Sequence, residues 1–181
     1  NELDKISAPK NLIQTLPSPV SKDLTKELMK QVDLVIVTGS QNNVREAYSS
    51  GTPAIGVGQG NVTVIIDETC DLKDAARKIK LSKTFDYATS CSSENNLVVV
   101  KKVYDEFVKL LELEDGLLLN SDQKKSLQNI MWINGKLNIN ILAKPTTTLC
   151  KEVDLIKNYS EKIQFLIVEE QGIGKEYPFS G

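Results

Sequence analysis

Histidine is missing from all 181 residues. That absence removes Ser-His-Asp and Cys-His machinery, metal sites built from two histidines and a carboxylate, and any imidazole general base. Cysteine is scarce as well. Cys70, Cys91 and Cys150 are an odd set without CxxC spacing, which argues against a disulfide framework or a structural zinc site. There is no excess of positive charge: 22 Lys and Arg against 24 Asp and Glu give a formal net charge of -2, with no basic footprint for nucleic acid. No uninterrupted apolar run approaches the length needed to cross a bilayer. No GxGxxG fingerprint, internal repeat or low-complexity tract occurs. What remains, 40% hydrophobic and 25% charged, is the composition of an ordinary globular chain, expected to be soluble and cytoplasmic, with neither nucleic acid nor membrane as a partner. The chain opens on Asn1 without an initiating Met or a signal-peptide pattern, and so reads as an internal piece of a longer protein.

The hydrophobic pattern predicts an α/β fold. Residues 32–37 form a short β-branched run ending at Gly39, as a buried strand does. Val44, Ala47 and Tyr48 then recur at helical spacing, Gly51 offers a stop, and residues 53–57 resume an extended apolar run. Strand, turn, helix and strand in this order make the unit of a parallel sheet. Upstream, Ser21 can cap a helix to about Lys30, with Leu24 and Leu28 on one face, after a loop held extended by Pro17 and Pro19. Downstream, residues 62–66 read as a strand, and Asp71 caps a helix with the stripe Leu72, Ala75, Ala76 and Ile79. The cations near its end, Arg77, Lys78, Lys80 and Lys83, are expected on a solvated face that complements the helix dipole. The pattern then repeats with a strand at 97–100, a helix over about 103–113 bearing Val103, Phe107, Leu110 and Leu111, and Gly116 as punctuation. Ser121 starts a helix carrying Leu127, Ile130 and Met131 that ends at Trp132, a packing residue. Asn134-Gly135 turns the chain, residues 137–142 extend, and residues 163–168 form a further buried strand.

Three places carry candidate chemistry. Thr38-Gly39-Ser40 follows a strand and precedes a helix N-terminus, where backbone N–H groups face a phosphate and Gly39 lets the chain come close. Gly56-Val57-Gly58-Gln59-Gly60 packs three glycines into five residues, a density that suits a close approach to a flat ring or, equally, a bulge or domain crossover. Cys91 stands in the small, polar run Thr89-Ser90-Cys91-Ser92-Ser93-Glu94-Asn95, the uncluttered setting in which a thiolate forms and a substrate approaches. Cys70 and Cys150 lie outside these motifs and read as packing residues. No residue group suggests a metal site.

These motifs recur in an order that resembles one family. Thr38-Gly39-Ser40, Ala47-Tyr48-Ser49-Ser50-Gly51, Pro53-Ala54-Ile55-Gly56-Val57-Gly58, Gly60-Asn61 and Ile66-Asp67-Glu68-Thr69 are followed by Ser82-Lys83-Thr84-Phe85-Asp86. Cys91 comes five residues after Asp86, with Ser93-Glu94 behind it. The series resembles the CoA-acylating branch of the aldehyde dehydrogenase superfamily. Within that branch, Gly39-Ser40-Gln41-Asn42-Asn43-Val44 and the block from Ala88 to Asn95 look most like the acylating sulfoacetaldehyde dehydrogenases.

The resemblance implies a parallel-sheet, three-layer αβα fold, here an incomplete central fragment. Residues 1–57 would be the C-terminal part of the dinucleotide-binding domain, and residues 58–181 the catalytic domain, truncated at its C-terminus. Cys91 would be the nucleophile. Thr38, Gly39, Ser40, Gly56, Val57 and Gly58 would bind NAD or NADP, and Thr89, Ser90 and Ser92 would wall the substrate pocket. The implied reaction runs from a thiohemiacetal on Cys91, through hydride transfer to NAD(P)+, to a thioester attacked by the thiol of coenzyme A. An oxyanion would meet the Cys91 backbone N–H and an Asn from a stretch preceding this one.

Hydrolytic relatives carry a Glu near Val57 to activate water. Its absence here, with no carboxylate until Asp67, suits an enzyme that must not make hydroxide beside a thioester. Tyr87 stands where family members commonly have Asn and bears on the shape of the aldehyde pocket. The motif resembling Pro178-Phe179-Ser180-Gly181 normally continues to a Glu on the nicotinamide ribose. Sulfoacetaldehyde is the first substrate expectation, with succinate semialdehyde and acetaldehyde as alternatives. A homo-oligomer is expected of the full-length protein. A competing reading is an inactive, truncated domain that serves as a binding module.

Overall fold

The computed structural model describes residues 2–58, 60–152 and 162–180. Gln59 and Gly181, both in expected motifs, lie outside the described residues. The chain divides into two compact units, Asn1–Gln59 and Gly60–Gly181.

In the first unit, a short helix α1 (Glu2–Lys5) precedes α2 (Lys22–Gln31), β1 (Val35–Thr38), α3 (Gln41–Tyr48) and β2 (Ala54–Val57). Ser21 caps α2 by accepting from the Leu24 N–H at 3.1 Å. The first strand starts three residues later than the apolar run suggests, because Val32 is spent as the C-cap of α2 and pairing begins with Val35 N–H on Pro53 O at 2.9 Å. β1 and β2 are parallel, with Val35 opposite Ala54 and Thr38 opposite Val57. Side chains alternate across such a pair. Val35 faces the buried residues Val44 and Ala47 of α3, whereas Ile36 on the other face is 72% exposed, with Ile55 and Val57 exposed beside it.

The second unit holds β3 (Val62–Ile66), α4 (Leu72–Thr84), β4 (Glu94–Val99), α5 (Lys101–Leu113), β5 (Gly116–Leu118), α6 (Ser121–Met131), β6 (Trp132–Ile133), β7 (Lys136–Leu137), α7 (Thr146–Glu152) and β8 (Phe165–Ile167). β3 pairs with β4 and β5 with β8, both parallel. The main core unites Ile66 of β3, Ala76 and Ile79 of α4, Val103, Phe107 and Leu111 of α5 and Phe165 of β8, with Cys70 packed against it. Phe107 and Leu111 are fully buried, each contributing about 1.5–3 kcal/mol over its exposed state. A second cluster joins Leu117 and Leu119 to Leu127 of α6, with Leu149 and Cys150 of α7, Leu166 and Phe179 around it. Phe165 and Ile167 thus belong to the first cluster and Leu117 and Leu166 to the second, so helices lie on both faces of the β5–β8 pair. This is the expected αβα layering. On the β3–β4 pair, Ile65 and Val98 remain exposed on the face away from the core.

Several boundaries differ from the sequence expectation. β4 begins at Glu94 rather than Leu97, since its polar start pairs with Val62 and Thr63. Gly116 is not mere punctuation but the first residue of β5, opposite Phe165. Residues 137–142 do not run as one strand: Lys136–Leu137 closes a hairpin on Trp132–Ile133, and Ile139–Ile141 winds as a 3-10 turn. Ser121 does start α6, as expected, and Asn120 caps it in a reciprocal box with Gln123. Trp132 packs edge-on against Phe179, with ring centroids 4.9 Å apart. Among the described residues, no helix is long and apolar enough to cross a membrane.

Candidate active site

The expected cofactor-binding residues lie in the first unit and Cys91 in the second. In the first, parallel pairing brings two separate sequence motifs to the same end. Thr38 and Val57 are partners in register at the carboxyl ends of β1 and β2, and Gly39 N–H donates to Val57 O at 3.1 Å. Thr38-Gly39-Ser40 and Val57-Gly58 therefore lie side by side where ligands bind in parallel sheets. Gly39 takes φ +120, a conformation that favours glycine, and a Cβ there would meet nothing within 4 Å. Space over the backbone is therefore open at that turn. Ser40 caps α3, its Oγ accepting from Asn43 N–H at 3.3 Å. An open glycine turn leading into a capped helix N-terminus fits the phosphates of a dinucleotide.

Gly56 has a different reason to be glycine. A Cβ there would lie 2.8 Å from Val44 Cγ1 and 2.9 Å from the Tyr48 ring, so the residue admits helix α3 rather than an open space. Tyr48 completes that contact, its hydroxyl accepting from Gly56 N–H at 3.1 Å. Gly58 lies against the Gln41 side chain.

In the second unit, Cys91 is exposed and free. It occupies a turn closed by Ser93 N–H on Ser90 O at 3.0 Å. The Ser90 and Ser92 hydroxyls meet at 2.9 Å within the same turn. Thr89 faces the other way: its Oγ1 reaches Asp86 O at 2.7 Å and Asp86 Oδ2 at 2.5 Å, which makes it a brace for the approach to Cys91. That approach is unusual. Asp86, Tyr87 and Ala88 take φ of +48, +52 and +61 in succession, and each non-glycine residue in that region costs on the order of 1 kcal/mol. Phe85 and Tyr87 are exposed beside it.

Gly60 runs next to the cysteine, so that a Cβ on it would lie 3.6 Å from Cys91 O. Beyond Gly60, three distant segments are tied together. Asn96 Nδ2 donates to Asn61 Oδ1 at 2.7 Å and to Ser180 O at 3.0 Å, and Asn61 Nδ2 donates to Ser180 O at 3.1 Å. The Gly60-Asn61 motif, the strand after Cys91 and the Pro178–Ser180 turn therefore share one neighbourhood. Sequence reasoning singled out the first and last of these but had no signal for Asn96, whose partners lie 35 and 84 residues away.

Asp67 and Cys150 stand apart from the turn. Asp67, the first carboxylate after Val57, accepts from Thr69 Oγ1 at 2.6 Å and Thr69 N–H at 2.9 Å. These bonds hold its carboxyl below the usual range. It is fixed in a local turn. Cys150 sits in the second cluster, where burial pushes its thiol up, as suits a packing residue. Among the described residues no three His, Cys, Asp or Glu side chains assemble as metal ligands.

The chain is 49% identical over 180 residues to a protein of Cupriavidus necator named sulfoacetaldehyde dehydrogenase (acylating), covering 99% of this chain and 36% of that protein. Among solved structures, an acetylating aldehyde dehydrogenase from Geobacillus thermoglucosidasius superposes with a TM-score of 0.89 at 38% identity, over 97% of this chain and 39% of that one. A propionaldehyde dehydrogenase of Rhodopseudomonas palustris with bound propionyl-CoA superposes at 0.84 with 25% identity, over 98% and 39%. The chain thus spans little more than a third of the length of these three relatives. The profile of the aldehyde dehydrogenase family matches residues 2–114, which include the Gly39 turn and Cys91, and this chain belongs to that family.

Proposed function

We propose that this chain is the central part of a CoA-acylating aldehyde dehydrogenase that converts a small aldehyde, sulfoacetaldehyde in the first instance, to its acyl-CoA with NAD(P)+. The observation that carries this reading is Cys91, an exposed thiol at the tip of a braced polar turn. In this reading the Cys91 sulfur adds to the aldehyde carbonyl, forming a C–S bond. The adduct's oxyanion is met by the backbone N–H of Cys91, and loss of hydride leaves a thioester. The bound dinucleotide supplies the hydride acceptor. Thr38, Gly39 and Ser40 hold its phosphates through the open turn and helix α3, and Val57 and Gly58 flank them. The CoA thiol then attacks the thioester carbon and the Cys91 thiolate leaves.

From Val57 to Ile66 the sequence offers no carboxylate to make hydroxide, which favours thiol over water as the acyl acceptor. Thr89, Ser90 and Ser92 belong to the turn that presents Cys91; Ser90 and Ser92 are the nearest hydroxyls in sequence available to a polar substrate tail. Residues 1–57 act as the dinucleotide half and 58–181 as the cysteine half. The 49% identity to an enzyme named for sulfoacetaldehyde supports the substrate choice.

The test is CoA-dependent NAD(P)H formation by the protein expressed from its own gene, with sulfoacetaldehyde, succinate semialdehyde and acetaldehyde compared. The fastest rate is expected with sulfoacetaldehyde, and Cys91→Ala is expected to abolish it. The absence of any rate with all three aldehydes sinks the reading.

A further inference from the structure

The four cations near the end of α4 do not share one solvated face. Arg77 and Lys78 pair with Asp74 of the same helix at 2.7 and 2.5 Å on the surface. Lys80 turns inward to Asp115 at 2.7 Å and Glu114 at 3.5 Å, and these partners hold its ammonium pKa above the ordinary lysine value. Lys83 does something else. It is half-buried, and its Nζ donates to Asn95 Oδ1 at 3.2 Å, on the far side of the Cys91 turn. The Glu94 carboxylate acts on the same ammonium, and burial still pulls Lys83 below the ordinary lysine range. Glu94 Oε2 is itself buried with no hydrogen-bond donor among the described residues. A buried carboxylate without a hydrogen-bonded partner is costly, and the nearby ammonium offsets that cost. Beside this pair, Ser93 is 3% exposed with its Oγ 3.5 Å from Ser82 O.

Ser82 and Lys83, at the end of α4, are therefore fastened to Ser93 and Asn95, at the start of β4. Residues 84–92 form a loop closed at its base. That loop contains three successive left-handed residues and, after them, Cys91. Within the loop, the Thr89 brace and the Ser90–Ser93 turn oppose relaxation of this conformation. The attachment at the base supplies a further constraint.

We propose that Lys83 is a positioning residue for Cys91: through its hydrogen bond to Asn95, next to the Ser93–Ser82 contact, it locks the exit of the Cys91 turn to the last turn of helix α4 and so fixes where the thiol is presented. The role rests on the reading of Cys91 as the nucleophile. A nucleophile displaced by about 1 Å loses on the order of a hundredfold in rate, so a small slackening of the loop base is visible in turnover while leaving substrate binding elsewhere intact.

The experiment uses the protein expressed from its own gene, with Lys83→Met, Lys83→Arg and the surface control Lys78→Met. Lys83→Met is expected to lower kcat by about tenfold or more with KM for the aldehyde unchanged within about twofold, while Lys83→Arg regains most of the loss and Lys78→Met matches the parent. Independently of any substrate, iodoacetamide alkylation of Cys91, followed by peptide mass spectrometry, is expected to change in rate in Lys83→Met while alkylation of Cys70 and Cys150 does not. Parental kcat and Cys91 alkylation in folded Lys83→Met overturn the proposal. So does a loss that comes with faster alkylation of Cys70 and Cys150, which marks general loosening. If Lys83→Met does not fold, Asn95→Ala removes the hydrogen bond and leaves the ammonium opposite Glu94. The same two readouts then decide, and no change in either overturns the proposal. Should the parent show no aldehyde oxidation at all, the proposed function fails while the alkylation comparison still tests the anchor.

Discussion

The β1–β2 and β5–β8 pairs are both short, parallel and apolar, yet they are covered differently. Phe165 and Ile167 pack into one cluster and Leu117 and Leu166 into another, so β5–β8 lies between helices. The β1–β2 pair has α3 on one face only, and Ile36, Ile55 and Val57 stand exposed on the other. A continuous apolar run is the signature of a strand buried on both faces, and both pairs carry it. The difference teaches that strand identity is local, whereas coverage belongs to whatever elements the chain brings alongside. It also separates stability from chemistry. The Cys91 turn grows out of the well-packed unit, next to α4 and β4, and the glycine turn grows out of the thinly packed one, in which Val35, Val44 and Ala47 are the buried hydrophobic residues.

Three substitutions break or sharpen that comparison. Phe107→Ala empties the centre of the main core in the second unit, and is expected to cost about 3–5 kcal/mol in urea unfolding. A cost below about 1 kcal/mol would mean that this cluster does not organise the unit. Gly56→Ala attacks the covered face of the thin unit. Its methyl meets Val44 and the Tyr48 ring at under 3 Å, so a loss of about 1–3 kcal/mol is expected. Amide hydrogen exchange should locate the loosening in α3 and β2. Ile36→Thr probes the open face. At 72% exposure the change should stay within about 0.5 kcal/mol by thermal unfolding, and a larger loss would mean that this face is covered in the protein as expressed.

Much of the fold was legible because its signals are local. The cap at Ser21, the cap at Asp71, the stripe Ala76 and Ile79 in α4 and the β-branched run of β3 each lie within a dozen residues and appear where the pattern puts them. β5 escaped notice because a three-residue strand opening on glycine has no pattern of its own and exists only through its pairing with β8. Helix α7 was likewise missed, since Thr146-Thr147-Thr148 favours strand on propensity and only packing of Leu149 and Cys150 against the second cluster recommends a helix. Around the candidate site, the polar run at Cys91 and the glycines at 39, 56 and 58 stood out by composition. The expectation that Arg77, Lys78, Lys80 and Lys83 share a solvated face failed for the last two. Their partners Asp115 and Asn95 lie 35 and 12 residues further on, beyond the reach of a helical repeat.

By itself the sequence determined the alternation of strands and helices, the absence of histidine from these 181 residues, and the choice of Cys91 as the residue to examine, because each of these depends on residue type and near-neighbour spacing. Tertiary structure decided the rest. It set Thr38 beside Val57, gave Gly56 its reason in the ring of Tyr48, joined Asn61, Asn96 and Ser180, and turned Lys83 from a surface cation into an anchor at the base of the cysteine loop. Hydrogen bonds and close packing depend on distances through space, and a linear pattern carries those distances only over the few residues that one turn or one pleat spans.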